Sequence, residues 1–203
     1  MGCLSEFGTA VILAGGKSCR MGFDKQLLSV KEKTLFKALL PNLRARFSDI
    51  LVITNTPELY ENDGVRTAAD IFPNMGPLGG IHAGLTYGLS DRVFVIACDM
   101  PRIDLAYIDY QMAQIMNTDY DACVTMGGER FQSFHAFYCK TALPMIEKDL
   151  MQNKASMFYL LKKINTRIIS EQEAKSVITV PQLFLNLNTK EDYNNYLLCE
   201  ERA

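Results

Sequence analysis

Apolar and β-branched residues gather in four short runs, Thr9–Leu13, Ile50–Thr54, Val93–Cys98 and Ala122–Thr125, each bounded by Gly, Asp or Asn. Continuous apolar runs of this length predict buried strands. Between them the spacing turns helical. Leu35, Leu39 and Leu43 recur every four residues, as do Ile81, Leu85 and Leu89, while Ile108, Met112, Ile115 and Met116 line one face further on. Pro41 interrupts the first of these patterns and predicts a kink or split near Leu40, because its ring clashes with the preceding turn and its nitrogen carries no hydrogen. Helical segments follow over 141–152 and 156–164, then a strand near Leu183–Leu187 and a last helix from Thr189 to Cys199. Strands alternating with helices predict an α/β protein with a mostly parallel sheet. No repeat, low-complexity tract or linker interrupts the pattern, so one domain is expected over residues 1–203, with 1–8 as a short lead.

Composition adds exclusions. The chain of 203 residues is 48% hydrophobic and 22% charged, close to an ordinary globular protein, which excludes disorder and coiled coil. With 21 Lys and Arg against 23 Asp and Glu, the net charge of -2 supplies no global basic field for nucleic acid or an anionic membrane. Any positive site must be local. The apolar runs are far shorter than the roughly 20 residues that cross a bilayer, so no membrane span is predicted. Cys3, Cys19, Cys98, Cys123, Cys139 and Cys199 form no C-x-x-C pair and have no His at metal-ligand spacing, which predicts free thiols in a reducing, cytoplasmic setting. The first residues carry neither a secretory nor a myristoylation signal, as expected of a plain cytoplasmic N-terminus.

Chemistry concentrates after the first strand, in Leu13-Ala14-Gly15-Gly16-Lys17-Ser18-Cys19-Arg20-Met21-Gly22-Phe23-Asp24-Lys25. Glycines here remove side chains that would hold a phosphate away from backbone N–H groups, and Arg20 and Lys25 add two cations. A polyanion is the expected guest, at the carboxyl ends of the strands where open α/β sheets bind ligands. The loop is neither a Walker loop nor a G-x-G-x-x-G fingerprint.

Val93-Phe94-Val95-Ile96-Ala97-Cys98-Asp99-Met100-Pro101 reads as a buried strand ending in a carboxylate at the same rim. A hard oxygen there suits Mg²⁺ bridging phosphates, whereas the bland alternative, a helix N-cap, is served equally well by Asp104. Asp70 closes the segment Val65–Ala69, before the turn-rich stretch Pro73-Asn74-Met75-Gly76-Pro77-Leu78-Gly79-Gly80. Its glycines fit close approach to a base or sugar and fit a tight loop-to-helix connection equally. In Asn186-Leu187-Asn188-Thr189, Thr189 caps a helix opened by Glu191 and Asp192, which leaves Asn186 and Asn188 without a structural reason. His82 and His135, the two histidines, belong to no triad pattern and are expected to be satisfied or partly exposed structural residues.

Together these segments resemble the molybdenum cofactor guanylyltransferase family of nucleotidyltransferases. The matching residues are Leu13-Ala14-Gly15-Gly16, Ser18, Arg20-Met21-Gly22, Asp24-Lys25, Asp70, Gly76-Pro77-Leu78, Cys98-Asp99-Met100-Pro101 and Asn186 with Asn188-Thr189, in the family's order over nearly the whole chain. The first motif alone also fits other cytidylyl and guanylyl transferases, and its pairing with C-D-M-P and N-x-N-T narrows the choice. The resemblance implies a three-layer α/β/α, Rossmann-like nucleotidyltransferase fold. It implies transfer of GMP from GTP to the terminal phosphate of molybdopterin, giving the guanine dinucleotide cofactor and pyrophosphate, in contact with cofactor-synthesis proteins or apo-molybdoenzymes.

Carried over residue by residue, Leu13, Ala14, Gly15, Lys25, Asp70 and Asp99 bind GTP, and Asp99 holds Mg²⁺. Asn55 stands where a base or ribose contact is expected. Arg20, Lys25 and Asp99 are the catalytic expectation, and Asn186 and Asn188 the acceptor-binding one. A phosphate monoester is already an anionic nucleophile, so no general base is required; the barrier is charge repulsion and positioning. The chain departs from the family's pattern at Lys190, where Pro is common after N-T, and at Ser133, where Pro often precedes the strand on the acceptor side. Two other classes compete: a related nucleotidyltransferase using CTP or ATP, or another phosphorylated acceptor, and a non-catalytic nucleotide-binding module. The joint presence of Arg20, Lys25, Asp70 and Asp99 argues against the second.

Overall fold

The computed structural model describes residues 6–14, 29–30 and 33–200. In chain order the elements are β1 (Thr9–Leu13), a small hairpin of β2 (Ser29–Val30) and β3 (Lys33–Thr34), α1 (Leu35–Arg44), β4 (Asp49–Ile53), β5 (Arg66–Ala68), α2 (Gly76–Tyr87) and β6 (Arg92–Ala97). They continue as α3 (Leu105–Ile115), β7 (Ala122–Gly127), β8 (Arg130–Cys139), α4 (Leu143–Met151), α5 (Met157–Lys163), β9 (Thr166–Ile169), α6 (Glu171–Lys175) and α7 (Lys190–Glu200).

Seven strands form one sheet in the order β5-β4-β1-β6-β8-β7-β9. Four of its pairings are parallel, β5 with β4, β4 with β1, β1 with β6 and β7 with β9, and only β8 runs antiparallel to its neighbours β6 and β7. The expected mostly parallel α/β sheet is therefore present. Alternate residues of β1 serve opposite faces. Ala10 and Ile12 pack with Leu39 and Leu43 of α1 and Tyr107 and Ile108 of α3. Val11 and Leu13 pack with Leu78 and Ile81 of α2, Ile146 of α4 and Leu160 of α5. Burial on both faces is why β1, β4 and β6 read as unbroken apolar runs.

Several expectations are corrected. Pro41 does not split its helix: α1 runs unbroken from Leu35 to Arg44, capped by Thr34, whose hydroxyl accepts from the Lys37 N–H. Proline in a helix interior costs about 3 kcal/mol, but burying Leu35, Phe36, Leu39, Leu40 and Leu43 returns roughly 1.5–3 kcal/mol each. Leu89 lies beyond the end of α2 and Met116 beyond α3, and each is 50% exposed. No strand forms at Leu183–Leu187. That segment bonds to the chain only beyond the end of β6, at Asp99, so it builds no ladder with the strand. Its bonds are isolated instead, from the Leu185 N–H to the Gln182 carbonyl and from the Leu187 N–H to the Asp99 carbonyl, each 3.0 Å.

Neither histidine is partly exposed. His82 is buried on α2 with Nε2 3.2 Å from Glu147 Oε1, and its Nδ1 has no partner among the described residues. His135 is wholly buried and lacks a partner at both ring nitrogens among the described residues. It sits in a bulge: from the Cys123–Phe137 pair to the Thr125–Gln132 pair, β7 advances two residues and β8 five. The backbone there reaches φ 55° at His135, and its ring packs against Phe94, Tyr107 and Phe184. Burial pushes its pKa down to about 4. Cys98, Cys123, Cys139 and Cys199 are free thiols, as expected.

Candidate active site

The order of strands about β1 defines the site. After β1 the chain moves to β4 and β5 on one side, then returns through α2 to β6 on the other. This reversal opens a crevice at the carboxyl ends of the strands, where doubly wound sheets bind ligands. Register brings the loops out together. Leu13 pairs with Ile53 and with Ala97, and the bonding continues one step beyond the strands. Ala14 N–H donates to the Ile53 carbonyl at 3.0 Å, Cys98 N–H to the Leu13 carbonyl at 3.0 Å and Thr54 N–H to the Ala68 carbonyl at 2.9 Å.

Leu13, Ala14, Asn55, Asp70 and Asp99 therefore emerge along one rim, although they come from four different loops. At about 4.8 Å per strand, the three steps from β5 to β6 set Asp70 and Asp99 at opposite ends of a span of roughly 14 Å. Leu13 and Ala14 are buried, Asn55 is exposed, and Asp70 and Asp99 are half-buried. Gly15, Arg20 and Lys25 lie outside the described residues.

Asp70 stands two residues past the end of β5. Its Oδ1 is buried without a hydrogen-bond partner among the described residues, and desolvation raises its pKa above the ordinary carboxylate value. A carboxyl in that state is answered by a ligand that brings a donor, such as a sugar hydroxyl or a ring N–H. The glycines that follow have a packing reason. A Cβ on Gly79 would stand 2.8 Å from the Phe72 carbonyl oxygen, and one on Gly80 3.1 Å from Leu13 Cδ2. They let the first turn of α2 settle over the end of β1, which favours the tight loop-to-helix connection at these two positions.

On the other side of β1, Asp99 occupies the turn after β6, where the Met100 N–H donates to the Ala97 carbonyl at 3.1 Å. The capping role that competed for this carboxylate belongs to Asp104. Its Oδ1 accepts from the Tyr107 N–H at 3.1 Å, and its Oδ2 takes the Val180 N–H at 2.9 Å and the Thr179 N–H and hydroxyl. Burial works against the charged form, yet these donors hold the Asp104 pKa below the usual range. Asp104 thus ties residues 179–180 to the start of α3.

Arg102 does the same for the next residues, donating to the Pro181 carbonyl and lying 5.5 Å over the Tyr196 ring of α7. Neither tie was evident in the sequence, where only the capping half of Asp104's work leaves a local signal. With the Leu187–Asp99 bond, they lay the N-x-N segment against the C-D-M-P turn. Asn186, half-buried, donates from Nδ2 to the Phe184 carbonyl at 3.3 Å, and Asn188 is exposed beside it. The predicted cap is present: Asp192 N–H donates to the Thr189 hydroxyl at 3.0 Å, and Asp192 Oδ2 accepts from the N–H groups of Asn188 and Thr189.

No group of three or more His, Cys, Asp or Glu side chains that could cage a metal occurs among the described residues. A lone carboxylate at a phosphate site nevertheless suits magnesium, which takes one or two carboxylates and completes its shell with phosphate oxygens and water. No helix among the described residues is long and apolar enough to cross a membrane.

A sheet that reverses about β1, a glycine-rich sequence beyond its carboxyl end and two carboxylates on the same rim are the features of an α/β nucleotide-binding protein. The family model of the MobA-like NTP transferase domain matches residues 10–167, and the chain belongs to that family. A molybdenum cofactor guanylyltransferase of Syntrophotalea carbinolica is 44% identical over 191 residues, covering 94% of this chain and 91% of the relative. A protein of Peptoclostridium acidaminophilum named "Probable molybdenum cofactor guanylyltransferase" is 43% identical over 195 residues, covering 94% and 88%. In fold, the chain is similar to the crystal structure of molybdopterin-guanine dinucleotide biosynthesis protein A from Archaeoglobus fulgidus. That likeness has a TM-score of 0.82 at 18% identity and covers 96% of this chain and 100% of the other.

Proposed function

We propose that this protein transfers GMP from GTP to the terminal phosphate of molybdopterin, releasing pyrophosphate. The observation that carries the reading is the position of Asp99. It stands at the carboxyl end of β6, with the nucleotide rim of β1, β4 and β5 on one side and the Asn186–Asn188 segment fastened to its own carbonyl on the other. A carboxylate so placed lies where donor and acceptor phosphates would meet.

The work divides accordingly. Asp70 marks the far end of the nucleotide rim, where its orphaned Oδ1 takes a donor from the nucleoside. Backbone groups of Leu13 and Ala14 border the phosphates, and Arg20 and Lys25 are assigned by the family resemblance to neutralise them. Asp99 is the residue that would hold Mg²⁺, whose chemistry when bound is to draw charge from the phosphate oxygens and the leaving pyrophosphate. Asn186 and Asn188 orient the acceptor through amides, which add no negative charge to a site already crowded with it. No base is needed, and His135, wholly buried with a pKa near 4, is not available as one.

Nucleotide preference tests the reading without any acceptor. GTP with Mg²⁺ at 100 times its dissociation constant should stabilise the fold by about 2.7 kcal/mol. At roughly 2–4 °C per kcal/mol for a domain of this size, the melting temperature rises by about 5–11 °C. CTP, UTP and ATP at equal concentration should shift it clearly less, because pocket groups matched to guanine are left unpaired by another base. Equal shifts from all four would show a phosphate-only site, and a larger shift with CTP would replace the guanylyl reading by a cytidylyl one.

A further inference from the structure

A cavity of about 570 Å³ opens between the β7–β8 hairpin and the segment that follows α6. Thr125 and Gln132 form part of its sheet side, Ala174 of α6 part of the opposite wall, and Leu183, Phe184 and Leu185 the returning chain. Most of its polar side chains are already engaged within the protein. The Thr125 hydroxyl lies 2.5 Å from that of Tyr107, and the Thr179 hydroxyl donates to Asp104. Glu171 accepts from the Gly128 N–H and pairs with Lys175 at 2.6 Å, so these charges cancel.

Gln132 differs. It faces Thr125 across the β7–β8 ladder, and its carboxamide has no hydrogen bond with the described residues. Gln182, the other amide on the wall, sits exposed at the rim. Room for the Gln132 amide is made by Gly127, where a Cβ would lie 3.1 Å from Gln132 Nε2.

A pocket of this size with apolar walls, self-cancelling charges and a half-buried carboxamide takes a neutral, flat heterocycle. A carboxamide offers one donor and one acceptor side by side, the complement of a cyclic amide edge. The chain leads from the cavity to the site. Leu185 lines it, and two residues further on the Leu187 N–H holds the Asp99 carbonyl, a backbone path of at most about 7 Å. A ligand seated by its ring beside Leu185 would direct a phosphate tail along this segment toward Asp99.

We infer that this cavity seats the neutral pterin end of the acceptor and that Gln132 selects it, pairing its carboxamide with the ring's amide edge while Phe184 contributes an apolar wall. The inference rests on the transfer reading above, and its test separates the two. Free 6-hydroxymethylpterin, which has no phosphate, is titrated into the protein and followed by its own fluorescence. The wild-type protein should bind it saturably, and Gln132→Leu, close in volume but without the amide, should bind it roughly 10–100-fold more weakly at an unchanged melting temperature. In turnover the same substitution should raise the KM for molybdopterin by a similar factor and leave the KM for GTP unaltered. Failure of the wild-type protein to convert molybdopterin would remove the functional reading while the pterin titration still decides the cavity. No binding of the pterin by the wild-type protein, or equal binding by both proteins, overturns the inference.

Discussion

The two halves of the sheet reach the same rim by different means. On the nucleotide side, β5, β4, β1 and β6 are parallel, and their loops are aligned by the ladder itself, since the bonds of Ala14, Thr54 and Cys98 extend the strand register into the site. On the side proposed for the acceptor, β8 reverses direction and bulges, and the segment from 178 to 188 has no ladder at all. Point contacts across long sequence separations hold it: Asp104 to Thr179 and Val180, Arg102 to Pro181, and Asp99 to Leu187. Nearby, Glu173 joins Arg167 and Tyr110, bracing α6 against β9 and α3. One half is positioned by repetition and the other by a few point contacts. The acceptor side should therefore be the easier to disturb without unfolding the protein.

Three substitutions break or sharpen that contrast. The largest effect is expected at the junction. Asp99→Asn keeps the shape of the side chain but removes the charge that would hold Mg²⁺, and should lower transfer on the order of 1000-fold at an unchanged melting temperature. Pyrophosphate release by the purified, folded variant measures it, and near-normal turnover would take the metal role from Asp99.

Next, Asp104→Ala removes an N-cap and the anchor of residues 179–180, costing about 2–4 kcal/mol in urea denaturation. Because the anchor holds the side proposed for the acceptor, the KM for molybdopterin should rise well before that for GTP. Equal changes in both constants would mean that the two halves are not separately supported.

The third test concerns pH. The His135 pKa falls from about 6.5 in the unfolded chain to about 4 in the fold, so between these values the unfolded state binds more protons. Stability contributed by neutral His135 is complete above pH 6.5 and is lost as the pH falls toward 4, by about 3 kcal/mol. His135→Asn, which tolerates the positive φ, should flatten this part of the stability curve relative to wild type. Parallel curves would show that His135 is reached by solvent in the folded protein.

The same contrast decides what could be read from the sequence. β1, β4, β6 and β7 are legible because burial on both faces demands apolar runs. Asp99 is legible because it follows such a run, and Asp70 because it stands between the segment Val65–Ala69 and a turn-rich stretch. Strand β5 is not, since Arg66 and Thr67 are exposed, and β8 mixes Gln132, Ser133 and His135 into its bulged middle. The apolar positions Leu183, Leu185 and Leu187 imitate a strand, but they are set by docking against the cavity, α7 and the end of β6, contacts that leave no local period. Asp104 looks like a cap and nothing more, because its second set of partners lies 75 and 76 residues away.

Transfer itself tests the central claim most directly. The protein is incubated with GTP, Mg²⁺ and molybdopterin, and pyrophosphate and the guanine dinucleotide product are quantified together, with parallel reactions lacking the acceptor or supplied with CTP. Equal amounts of the two products are expected from GTP, with no pyrophosphate without acceptor and much slower reaction with CTP. Pyrophosphate formed equally without acceptor, or CTP used as fast as GTP, would contradict it.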